Sequence, residues 1–191
     1  MRRQPLFILV DNSSSTIGQP IQQVNDFINL LIKEAKSDPF FLEALQISLI
    51  EFGSKVPKCI LGLQELDKVK LHRIFPTTEK RYLGRAIELL SGKIKKNLIP
   101  STKDQRGDQQ YFLLIFLFGE SEGDYQIQIS ELKKGNPKPR KVILIGLNKY
   151  FLIKQKDLTK ETFDMREVKS SELLKMMNLF PDDFPLSSEK A

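Results

Sequence analysis

Three stretches of the chain, residues 7–10, 111–118 and 142–146, are apolar at nearly every position. Such runs predict strands buried on both faces of a parallel sheet. Between them the apolar residues recur at helical spacing. Ile21, Val24, Phe27, Ile28, Leu31 and Ile32 predict a helix from about Gly18 to Lys36, with Pro20 in its first turn and Ser37-Asp38-Pro39 ending it. Leu83, Ala86, Ile87, Leu90 and Ile94 predict a second helix that stops within residues 97–100, and Ile127, Ile129 and Leu132 a third over 125–134, closed by Gly135 and Asn136. Residues 45–53 alternate as a strand and 58–66 follow Pro57 as another, so the short link between them predicts an antiparallel hairpin. Phe40, Phe41 and Leu42 read as a short connection, 67–80 as irregular and 101–110 as a polar loop. Further on, 162–168 reads as an edge strand, 170–179 as a last helix capped by Ser170 or Ser171, and the residues after Pro181 as a loose tail.

Alternating strands and helices predict an α/β fold. The expectation is a doubly wound, mostly parallel six-stranded sheet with one antiparallel edge strand and helices on both faces. One domain spans residues 1–180, and 181–191 form the tail. In such a sheet the first buried strand lies beside the fourth, at the switch point where ligands bind. That places the ends of these strands, at Asp11 and Glu120, next to each other.

Composition narrows the function classes. Of 191 residues, 40% are hydrophobic and 28% charged, as in an ordinary globular domain. The formal charge of +6 is concentrated partly in two clusters, 93–96 and 133–141. They lack interleaved aromatics, so solvated faces are expected rather than a nucleic-acid interface. The single cysteine, Cys59, excludes an internal disulfide and any Cys-rich metal site. No signal-peptide pattern and no membrane-length apolar run is present, so the expected location is the cytoplasm and no membrane partner is expected. Arg106-Gly107-Asp108 reads as a chance turn.

Candidate chemistry gathers where the first strand stops. Asp11 is followed by Ser13 and Ser15, so a carboxylate and two hydroxyls at alternate positions face one point. Carboxylate and hydroxyl oxygens suit Mg²⁺ or Mn²⁺. The competing reading is a Ser-rich turn capping the next helix. A third reading takes the hydroxyl-rich loop as an anion or phosphate site beside Arg81. Phosphoryl transfer at Asp11 would want a second Asp at position 13, where the chain has Ser13. His72 is the only histidine and has apolar and basic neighbours, and no Gly-x-Ser-x-Gly elbow exists. A catalytic role is therefore not expected.

At Asp-x-Ser-x-Ser, followed by the Gly-x-Pro-Ile that opens the helix and the later Ser-Asp-Pro, the chain resembles a von Willebrand factor A domain over about residues 4–180. Residues 2–54 are most similar to small bacterial domains of the tellurium-resistance, TerY-type group. The resemblance implies an interaction module whose metal-ion-dependent adhesion site receives a carboxylate from a protein partner. Asp11, Ser13 and Ser15 match the first part of that site. The family's Gly-Gly-Thr turn, anchored on Leu83-Gly84, aligns with Glu79-Lys80-Arg81, so Arg81 stands at the Thr position, with Thr77 and Thr78 nearby. The late Asp position reads Gly119-Glu120-Ser121, leaving Glu120 as the candidate ligand and Ser121 beside it. A guanidinium cannot ligate a cation. The expectation is a degenerate site in which Arg81 pairs bidentately with Asp11 or Glu120, with Mg²⁺ or Mn²⁺ bound weakly or not at all.

Overall fold

The computed structural model describes residues 2–71, 73–102, 106–147 and 149–178. Six strands form one sheet: β1 (Gln4–Val10), β2 (Leu45–Glu51), β3 (Lys58–Glu65), β4 (Phe112–Phe116), β5 (Lys141–Gly146) and β6 (Glu161–Asp164), in the order β3-β2-β1-β4-β5-β6. All neighbours are parallel except β2 and β3, whose hairpin carries two register shifts. The helices are α1 (Gln19–Lys36), α2 (Pro39–Ala44), α3 (Leu83–Asn97), α4 (Gln126–Lys134), α5 (Lys149–Lys154) and α6 (Ser170–Asn178).

The pleat of β1 explains why both faces need covering. Leu6, Ile8 and Val10 point to one side, where Val24, Ile28 and Leu31 of α1 and Leu173 of α6 bury them. Phe7 and Leu9 point to the other, against Leu83, Ile87 and Leu90 of α3 and Ile129 of α4. Every residue of β1 is buried, and each such large apolar side chain contributes about 1.5–3 kcal/mol. A continuous apolar run is thus the pattern a central strand must have.

The architecture is the expected doubly wound sheet, with differences in detail. Phe40–Leu42 belong to a helix, α2, and not to a plain connection. Asp38 accepts the Phe40 N–H at 2.8 Å and Pro39 supplies the first helical position, so the signal that ends α1 also starts α2. Residues 149–154 form a further short helix. The last strand ends at Asp164 instead of reaching 168, because the Asp164 side chain turns the chain: it accepts the Arg166 N–H at 2.9 Å. His72, Leu179 and the tail 181–191 lie outside the described residues.

Candidate functional site

Parallel strands bring their carboxyl ends to one edge of the sheet, and β1 stops there beside β4. The Asp11 N–H continues the ladder to the Phe116 carbonyl at 3.0 Å, which fixes where the side chain emerges. Asp11 is fully buried. Its Oδ1 accepts the Ser13 N–H at 3.0 Å, and its Oδ2 accepts the Phe118 N–H, just past β4, at 3.1 Å. Ser13 is fully buried as well, and its Oγ lies 3.2 Å from Ser15 Oγ. Asp11, Ser13 and Ser15 therefore do converge.

Arg81 fills the point on which they converge. Its Nε lies 3.2 Å from Asp11 Oδ2 and donates to Ser13 Oγ at 3.2 Å, while Nη2 donates to Ser15 Oγ. The Arg81 side chain is 11% exposed and that of Asp11 0%. The contact with Asp11 is through Nε alone, so the expected two-pronged pair is corrected: the second prong goes to serine hydroxyls. Among the described residues, Nη1 has no acceptor. Gly119 makes room for it, because a Cβ there would sit 1.9 Å from Nη1.

The backbone before α3 is pinned on three sides to hold this arginine. The Arg81 carbonyl accepts the Glu122 N–H at 3.0 Å, the Tyr82 N–H donates to the Phe52 carbonyl at 3.3 Å, and the Ser14 N–H donates to the Glu79 carbonyl at 2.9 Å. Each bond ties residues 79–82 to a different strand end.

The other expected residues stand apart. Glu120 is exposed and forms no ion pair among the described residues; from that strand it is the Phe118 N–H that reaches Asp11. The carboxylate acts instead on Tyr125, whose hydroxyl is pushed up by burial first and then by Asp157, Asp124 and Glu120. Ser121 Oγ accepts the Leu83 N–H at 2.9 Å and so satisfies the open start of α3. Thr78 is exposed, whereas Thr77 turns inward, its N–H on the Asn12 carbonyl at 2.6 Å and its hydroxyl on the Gly53 carbonyl. Arg106-Gly107-Asp108 is tied down: Asp108 takes both prongs of Arg3 at 2.5 Å.

Two buried asparagines, marked by no sequence motif, also hold the backbone around the site. Buried Asn12 accepts the Gly53 N–H at 2.6 Å and donates to Glu51 at 3.2 Å and to the Phe75 carbonyl at 3.0 Å. Buried Asn25 of α1 clamps Ile74, giving its Nδ2 to the carbonyl at 2.9 Å and taking the N–H at 2.8 Å. The signal for Asn25 was available: a lone amide four residues after Ile21 on an apolar helix face. Among the described residues, no cluster of three or more His, Cys, Asp or Glu is placed to hold a metal ion, and no helix is long and apolar enough to cross a membrane.

Known proteins share the fold of this chain. The chain is similar in structure to the VWA domain of SpRpn10, with 15% identity, 91% of this chain and 95% of that chain covered, and a TM-score of 0.59. It is also similar to proximal thread matrix protein 1 of the mussel byssus, with 16% identity, 93% and 46% covered, and a TM-score of 0.60. At these identities the likeness is one of fold. No curated protein sequence matches the chain. The family model for the von Willebrand factor type A domain, however, matches residues 6–174, so the chain belongs to that family.

Proposed function

We propose that this domain is a non-catalytic protein-interaction module whose contact face is the carboxyl end of the sheet, with Arg81 standing where the family places a divalent cation. The observation that carries the reading is the single guanidinium shared by Asp11, Ser13 and Ser15. The residues present do not fit Mg²⁺ or Mn²⁺. A guanidinium donates and never ligates, and its charge, held against Asp11, Ser13 and Ser15, opposes a cation at the point they share. Nη1, without an acceptor beside Gly119, is the group left to meet a partner's carboxylate through a charge-assisted bond. On the resemblance of the Asp-x-Ser-x-Ser and Gly-x-Pro-Ile stretch to TerY-type domains, we further propose an adaptor role in a cytoplasmic stress-response or signalling assembly. Burial of Asp11 argues against its use as a phosphoryl acceptor, since an incoming phosphorus could not reach it.

The test is thermal unfolding with and without millimolar Mg²⁺ or Mn²⁺, on the wild type and on Arg81→Thr. A ligand at about 100 times its dissociation constant stabilises by about 2.7 kcal/mol. The wild type should not shift and Arg81→Thr should. A metal-induced shift in the wild type would overturn the reading.

A further inference from the structure

The segment that crosses from β3 back to the site is held in a way that its side chains do not explain. Asn25 bonds both backbone groups of Ile74, and Asn12 bonds the Phe75 carbonyl and receives the Thr77 N–H. A backbone clamped on both sides by buried amides nevertheless holds Phe75 out to solvent, 68% exposed. Beside it a groove of about 470 Å³ opens between this segment and β3, and Ile60, itself 40% exposed, lines the same groove with Leu61 and Leu71. Scattered exposed apolar residues are ordinary, but here two large ones share one groove.

The charge around the groove selects the partner. Lys70 and Arg73 line it, and the Arg73 guanidinium lies 5.9 Å from the centre of the Phe75 ring, so a cation and an aromatic face are presented together. The one carboxylate in the lining, Glu51, is engaged by Asn12 and lies opposite Lys58 in the β2–β3 ladder. We propose that this groove docks a segment of a protein partner that carries a bulky apolar residue next to an Asp or Glu. The apolar side chain packs on Phe75 and Ile60, and the carboxylate pairs with Arg73 or Lys70. This rests on the reading of the chain as a protein-interaction module, but uses none of the Arg81 contacts.

The experiment selects a display library of random dodecapeptides on the full chain, then measures anisotropy of the enriched peptides on wild type, Phe75→Ala, Arg73→Glu and Lys95→Glu. Both groove residues are exposed, so these two variants keep the fold, which circular dichroism verifies. Enriched peptides should pair an apolar with an acidic residue, and Phe75→Ala and Arg73→Glu should each weaken them about tenfold while Lys95→Glu, on α3 away from the groove, leaves them unchanged. Equal weakening by Lys95→Glu would show a general charge effect and overturn the groove. Peptides without the acidic–apolar pair, or bound equally by Phe75→Ala, overturn it too. Absence of any enriched peptide would count against groove and module together. Self-association of the wild type in sedimentation, abolished by Phe75→Ala, would make a second copy the occupant and overturn a foreign partner.

Discussion

Two strands of the sheet end at an aspartate held by an arginine, and the two pairs are built in opposite ways. At β6, Asp164 receives both prongs of Arg166, two residues on, with Nε at 2.9 Å and Nη2 at 2.5 Å. Arg166 is 63% exposed, so the pair is a local turn with its cation in water. At β1, Asp11 receives one atom of Arg81, 70 positions away, and both side chains are buried. The local pair has the better fork and the distant pair the greater consequence. The Asp164 carboxylate is buried too, 4% exposed, but its cation stays in water, where solvent competes for it and the pair contributes little. At Asp11 the cation is buried as well, so its loss leaves the carboxylate desolvated and uncompensated.

The largest expected effect is the direct break. Arg81→Met should destabilise by about 3 kcal/mol or more in denaturant unfolding, well beyond the loss for Arg166→Met, whose guanidinium stands in water. Equal losses would show that Asp11 is satisfied by its two N–H donors without the arginine. Next comes Gly119→Ala, whose added methyl needs the space held by Nη1. It should cost about 1–3 kcal/mol, read from the same transition; if the guanidinium swings clear instead, the loss will be near zero.

The smallest effect comes from a strand-end carboxylate with no arginine. Glu51, at the end of β2, has its pKa raised above 4.5 by burial, an effect that Lys58 partly offsets. A raised folded-state value means stability that is full below the unfolded-state pKa and is lost as pH rises through the folded one. Glu51→Gln should therefore be slightly more stable than wild type at neutral pH, with the advantage vanishing as pH falls below about 4.5. A pH series of melting temperatures checks this.

These contrasts also mark what one dimension conveys. The central strands declare themselves, because a strand covered on both faces must be apolar throughout, as β1 and β4 are. Helices α1 and α3 show in their spacing for the same reason. Helix α2 was hidden because Asp38-Pro39 is at once a terminator and an initiator, and six residues are too few to show a period. At the site, the place of Arg81 could be counted back from Leu83-Gly84, but its neighbours could not. Whether Glu120 turned in or out depended on the path after β4, where the Phe118 N–H reaches Asp11 first. The match of Gly119 to a guanidinium 38 positions earlier is a fact of three-dimensional fit with no local trace.

The strand order β3-β2-β1-β4-β5-β6 also sets a timetable for synthesis. Emerging from the ribosome, the chain first builds outward on one side of β1, through β2 to β3. The opposite edge of β1, apolar and unpaired, has no mate until residues 112–116 appear. Arg81 is made before β4, but the Phe118 and Glu122 N–H groups that help hold Asp11 and Arg81 follow it, so the site is completed only after β4 is made. Nascent chains halted between α3 and β4 are thus the species most open to wrong pairing, and the ones a chaperone would be expected to hold.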